Sequence, residues 1–165
     1  MSDKEKSGDY LSNNNHNIGS RQKEDLSFDE DSKPLARLLI VDDDSDIVYV
    51  LKLGLQQNGF LMDSFTNPEE ALQSFKSNAE PYRLLLSDVR MPGLSGIQLA
   101  KKVKEINPSV KVVLMTSFEI RDNEFSKVFP STQVDGFVQK PIGIREMTNK
   151  ILSVIGESKR KRNED

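Results

Sequence analysis

Leu38-Leu39-Ile40-Val41-Asp42-Asp43-Asp44 runs four apolar residues straight into three carboxylates. The apolar part reads as a strand buried on both faces, so concentrated negative charge sits at the end of a buried element and calls for a cation. The chain returns to this arrangement at Leu84-Leu85-Leu86-Ser87-Asp88, at Val112-Val113-Leu114-Met115-Thr116 and at Phe137-Val138-Gln139-Lys140-Pro141. In a parallel sheet the carboxyl ends of the strands share one edge, and ligands bind in the crevice there. Acids, a hydroxyl and an ammonium are therefore expected to meet at one site.

Working outward, strand patterns alternate with helix patterns, which indicates a parallel sheet covered on both faces. Strands are expected near residues 37–41, 60–65, 83–87, 110–115 and 136–139. All but the second are nearly continuous apolar runs, as for strands buried on both faces; the second, with Asp63 and Ser64, suits an edge. A first helix, capped by Ser45 or Asp46, carries Ile47, Val50, Leu51 and Leu55 at helical spacing and ends at Asn58-Gly59. Asn67-Pro68-Glu69-Glu70 starts a second, with cap, first-turn proline and first-turn acids in order. A third covers residues 95–106, a short fourth 122–129, and a fifth, 144–155, places Met147, Ile151, Leu152 and Ile155 on one face.

With 165 residues, 36% hydrophobic and 30% charged, the chain suits one folded domain with tails. Residues 1–34 hold five Lys or Arg against eight Asp or Glu with few apolar groups, too little to offset ordering entropy, and read as a disordered polar arm. The only histidine, His16, lies in this arm, which argues against a His-centred active site. Residues 157–165 form a charged tail whose Lys159-Arg160-Lys161-Arg162 suits the negative pole of a helix. The domain is thus expected over residues 35–156. A net charge of −3 gives no case for direct nucleic-acid binding. No segment is long and apolar enough for membrane insertion, no signal peptide is visible, and the absence of cysteine fits a reducing, cytoplasmic setting.

Asp42-Asp43, the stretch Asp88-Val89-Arg90-Met91-Pro92-Gly93-Leu94-Ser95-Gly96, Thr116-Ser117 and Lys140-Pro141, each at a strand end and in this order, closely resemble the receiver domain of two-component response regulators. The resemblance implies a flavodoxin-like, doubly wound α/β fold: a five-stranded parallel sheet of order 2-1-3-4-5 with five helices. It implies that Asp88 is the phosphoacceptor and that Asp43, Asp88 and the main-chain carbonyl of Arg90 hold Mg²⁺ (Mn²⁺ as a substitute), with Asp42 assisting through a water. Lys140 would pair with the phosphoryl oxygens, Thr116 would donate its hydroxyl to them, and Phe137 takes the aromatic switch position. The family places a cis peptide bond after the lysine. Departures from the family pattern are Gln133 for a frequent glycine, Ser117 for alanine or glycine, and Phe118 and Arg90 at positions that tune acyl-phosphate hydrolysis.

With short flanking segments, the chain reads as a stand-alone receiver. It would take a phosphoryl group from a histidine kinase or phosphotransfer protein in a Mg²⁺-dependent phosphorelay and present a changed face to a downstream protein. It would be a phosphoacceptor with self-catalysed transfer and hydrolysis rather than a metabolic enzyme. The alternatives are a phosphorylation-independent pseudo-receiver, against which the full residue set argues, and an aspartyl-nucleophile phosphatase, which would want an acid where Arg90 stands. A DNA-binding regulator lacks an assignable helix-turn-helix.

Overall fold

The structure, a computed structural model, describes residues 33–78, 81–117 and 134–156. The described chain runs β1 (Arg37–Val41), α1 (Ser45–Gln57), β2 (Leu61–Phe65), α2 (Pro68–Ser77), β3 (Leu84–Asp88), α3 (Gly96–Ile106), β4 (Lys111–Thr116), β5 (Gly136–Gln139) and α4 (Ile144–Ile155). The five strands form one parallel sheet of order β2-β1-β3-β4-β5, as the resemblance implied. The helix expected over 122–129, together with Phe118 and Gln133, lies outside the described residues.

Strand periodicity divides the core into two layers. Leu38 and Ile40 of β1, Leu84 and Leu86 of β3, and Val113 and Met115 of β4 pack with α1 and α4; Leu39, Val41, Leu85, Val112 and Leu114 pack with α2 and α3. Alternate side chains of one strand thus serve opposite layers. β2 is the partly exposed edge anticipated from its mixed sequence. β5 is the other edge of the sheet, as the implied order has it, but its apolar run was read as buried on both faces, and of its residues only Val138 is buried. An apolar run records hydrophobicity, not the number of neighbouring strands.

The helix starts follow local chemistry. Asp44, one residue ahead of the expected cap, accepts the N–H groups of Asp46 and Ile47 at 2.9 and 3.4 Å. Asn67 caps α2 ahead of Pro68, and Ser95 with Gln98 forms a capping box on α3. Between α1 and α4, a Cβ at Gly54 would meet Ile144 side-chain atoms at 2.5–2.8 Å, so the bare glycine gives α4 its seat on α1.

Two carboxylates away from the carboxyl-terminal edge act as fasteners, Asp135 at the amino-terminal edge and Asp63 in the middle of β2. Asp135, just ahead of β5, accepts from Lys104 of α3 at 3.0 Å, Lys111 of β4 at 2.9 Å and the Val112 N–H at 2.8 Å. Burial opposes its charge, but these donors outweigh it and hold its pKa below the usual value. Asp63 of β2 accepts from Arg37 at 2.7 Å and from the Tyr82 hydroxyl at 2.5 Å, while the Arg37 guanidinium lies 5.1 Å from the Tyr82 ring centroid. Burial and then Asp63 raise the Tyr82 pKa.

Candidate functional site

The carboxyl-terminal edge is built by the same two-residue parity. Asp42, Asp88 and Lys140 each follow by two an apolar residue of the α1/α4 layer, namely Ile40, Leu86 and Val138, so strands far apart in sequence deliver three charged groups to one spot. Lys140 Nζ lies 2.6 Å from Asp42 Oδ2 and 2.7 Å from Asp88 Oδ1. The remaining oxygens are also used: Asp42 Oδ1 accepts the Asp44 N–H at 3.0 Å, and Asp88 Oδ2 accepts the Arg90 N–H at 2.9 Å. One ammonium therefore serves two carboxylates.

That sharing shapes the electrostatics. Asp42 is 1% exposed, and burial, its largest influence, holds its carboxyl above the usual pKa even though Lys140 and the Asp44 N–H pull it down; the neighbouring Asp88 adds to the rise. Burial also works against the charge of Lys140, but hydrogen bonds to Asp42 and then Asp88 prevail and raise its pKa. Among the described residues two carboxyl groups thus face one ammonium.

The other predicted site residues stand around this trio. Asp43 is exposed beside it, without being drawn into the ion pairs. Thr116 is buried as the last residue of β4, and its carbonyl accepts the Lys140 N–H at 2.7 Å. Arg90 is exposed just past Asp88. Phe137 lies in β5, as expected, and is half-buried against the α2/α3 layer, on the face of the strand opposite to Val138. The Lys140-Pro141 peptide is cis. An open groove of about 510 Å³ runs from this peptide along β5 and α4, bordered by Phe137, Gln139, Lys140, Pro141, Glu146 and Lys150.

Two features went unread in the sequence. Lys140 bridges Asp42 as well as Asp88, across 98 positions of chain, which no local spacing could announce. Ser87, fully buried, donates its hydroxyl to the Asp88 main-chain carbonyl at 3.0 Å; its one signal is a hydroxyl closing an otherwise all-leucine run.

Among the described residues no three His, Cys, Asp or Glu side chains gather into a ready-made metal centre. An ammonium stands between Asp42 and Asp88, and Asp43 is at the surface. The donor chemistry still fits a hard divalent ion: carboxylate and carbonyl oxygens only, with acid in excess. Such a set suits an ion that keeps several waters rather than one caged by protein.

Comparison with known proteins agrees with the fold. The sequence pattern of the response regulator receiver domain matches residues 38–152. The response regulator receiver protein CpdR of Brucella abortus is 31% identical over 122 residues, covering 73% of this chain and 98% of CpdR. The DNA-binding transcriptional regulator NtrC of Escherichia coli is 33% identical over 75% of this chain, which spans only 26% of NtrC. The chain likewise spans 49% of the Bacillus subtilis regulator PhoP, to which it is 28% identical. Among solved structures, a receiver domain from Clostridium thermocellum superposes with a TM-score of 0.65 at 25% identity, covering 74% of this chain and 95% of that one. The response regulator TrrA of Thermotoga maritima, solved with Mg²⁺ and BeF, gives 0.62 at 31% identity, covering 73% and 99%. On its sequence, its strand order and its relatives, the chain belongs to the response regulator receiver domain family.

Proposed function

We propose that this receiver is a phosphoacceptor in a two-component phosphorelay, with Asp88 as the residue modified. The observation that carries the reading is the single Lys140 ammonium shared between the Asp42 and Asp88 carboxylates at a sheet edge. An Asp88 oxygen forms the new bond to phosphorus while the bond to the donor's imidazole nitrogen breaks and that nitrogen takes up a proton. The product is an acyl phosphate, and hydrolysis later returns inorganic phosphate and the free carboxylate. Charge spreads over the transferring oxygens during this exchange and has to be neutralised. Lys140, already within 2.7 Å of Asp88, is placed to do so. Thr116, at the end of the neighbouring strand, is the candidate hydroxyl for the phosphoryl group once it arrives.

Asp43, Asp88 and the Arg90 carbonyl are the candidates to hold Mg²⁺, with Asp42 acting through a water. Bound there, the ion would supply positive charge beside the phosphoryl oxygens. The TrrA complex with Mg²⁺ and BeF supports this reading. The added charge acts as a signal by biasing two states of the domain, with Phe137 and the groove along β5 and α4 as the face that reports it to a downstream protein. The domain itself is assigned to residues 35–156, between the polar arm and the charged tail. The match to nearly the whole of CpdR supports a receiver acting without an attached output module. A histidine kinase or phosphotransfer protein is the donor in this reading, and the setting is cytoplasmic; none of the helices among the described residues is long and apolar enough to cross a membrane.

The test is intact-mass measurement after incubation with Mg²⁺ and a small phosphodonor. Wild type should gain one phosphoryl group, whereas Asp88→Asn should gain none and Asp43→Ala should gain little. Undiminished labelling of Asp88→Asn would sink the assignment.

A further inference from the structure

We propose that Ser87 is a positioning residue for phosphoryl transfer, acting through the main chain of Asp88 with Gly96 as its backstop; the inference rests on the phosphoacceptor reading of Asp88. The peptide that follows Asp88 is held at both ends. Its carbonyl accepts the Ser87 hydroxyl at 3.0 Å, and its N–H, from Val89, donates to the Met115 carbonyl at 3.0 Å. The next two links are also tied: Gly96 N–H donates to the Val89 carbonyl at 3.0 Å, and Arg90 N–H donates to Asp88 Oδ2 at 2.9 Å. The stretch from Asp88 to Arg90 carries both the proposed nucleophile and the proposed carbonyl ligand. Its direction is therefore set by a short chain of bonds that starts at Ser87.

Gly96, the first residue of α3, closes the arrangement from outside. A Cβ there would overlap the Asp88 carbonyl oxygen and come within 2.9 Å of the Asp88 carbonyl carbon and 3.0 Å of Ser87 Oγ. Backbone cannot swing aside as a flexible side chain would. The bare glycine thus lets α3 press against the bonded pair, and both Ser87 and Gly96 are buried. Strand parity explains why the hydroxyl is there: Ser87 follows Leu85 by two and faces the α2/α3 layer, while Asp88 turns to the opposite face and Lys140. Successive residues divide the work, one carrying the reacting carboxylate and the other fixing the peptide behind it. With a bare hydrocarbon in place of the hydroxyl, that carbonyl would lose its side-chain donor and the peptide plane one of its two anchors.

Ser87→Ala, Ser87→Thr and wild type should be compared at saturating Mg²⁺, with the phosphorylation rate measured against phosphodonor concentration and normalised to the folded fraction from circular dichroism. Because a small loss of alignment is felt directly in the transfer step, Ser87→Ala should lower the maximal rate per folded molecule by roughly tenfold. The half-saturating donor concentration should stay near wild type, and Ser87→Thr, which keeps the hydroxyl, should recover most of the rate. A purely structural role would lower the melting midpoint without touching the rate per folded molecule. An unchanged rate in Ser87→Ala, or equal losses in Ser87→Ala and Ser87→Thr, would overturn the inference while leaving Asp88 as the acceptor. A wild-type protein that takes up no phosphoryl group would instead overturn the phosphoacceptor reading itself, and this inference with it.

Discussion

Asp135 at one edge of the sheet and Asp88 at the other are both carboxylates at strand ends, yet their surroundings are opposite. Asp135 collects two ammonium groups and a backbone N–H, whereas Asp88 and Asp42 divide one ammonium between them. A carboxylate with donors in excess is a fastener, which joins α3, β4 and the approach to β5. Two carboxylates that face one ammonium keep an unmet demand for positive charge, and that demand is what a divalent ion can meet. The same side chain is structural at one edge and, in the proposed function, reactive at the other because of what faces it.

Removing the fastener should have the larger effect on stability. Asp135→Ala strands the Val112 N–H and releases Lys104 and Lys111, and should cost about 2 kcal/mol, mostly from the orphaned backbone donor rather than the partly exposed ion pairs. Denaturant unfolding measures the loss, and labelling per folded molecule should stay at the wild-type level. If labelling falls in step with stability, the two edges are not independent. Asp88→Asn should behave in the opposite sense. It removes one of two crowded acids and leaves Lys140 its bond to Asp42, so stability should hold or rise by under about 1 kcal/mol even as labelling disappears. A clear loss of stability would mean that Asp88 is a fastener too.

The smallest effect, one of sign, comes from pH. Asp135 has a folded pKa below its ordinary value, so its contribution is complete above the unfolded pKa and is lost as pH falls through the folded one. Asp42 has a folded pKa above its ordinary value. Relative to Asp42→Asn, wild type should therefore gain stability as pH falls from neutral through the folded pKa of Asp42 toward the unfolded one. Unfolding curves of wild type, Asp135→Asn and Asp42→Asn across the acidic range should diverge in opposite directions, and parallel curves would remove the electrostatic contrast.

Much of this contrast could be read only in part from sequence. The strands were accessible because Leu38 to Val41 and Leu84 to Leu86 are apolar without interruption, whereas their order came only with the family resemblance carried by the motifs at their ends. Asn67-Pro68 placed the start of α2 correctly, because both residues act locally. The cap of α1 fell one residue early, on Asp44, since several neighbouring oxygens could have served and only the chain's path selects one. The burial of β5 was misread because exposure depends on which strands flank it, not on Phe137 and Val138 themselves. The two fasteners were invisible. Asp63, Tyr82 and Arg37, like Asp135, Lys104 and Lys111, belong to no motif and meet only after the sheet has assembled.

Gly54 shows how far from the chemistry its geometry is set. A glycine inside a helix costs about 1 kcal/mol relative to alanine, yet here alanine would drive a methyl group into Ile144. Ile144 opens α4, four residues beyond Lys140. α1 therefore works as a stop against which α4 comes to rest, in the layer that also lies behind Asp42, Asp88 and Lys140. The closeness of two helices behind the candidate site rests on the absence of a single carbon atom.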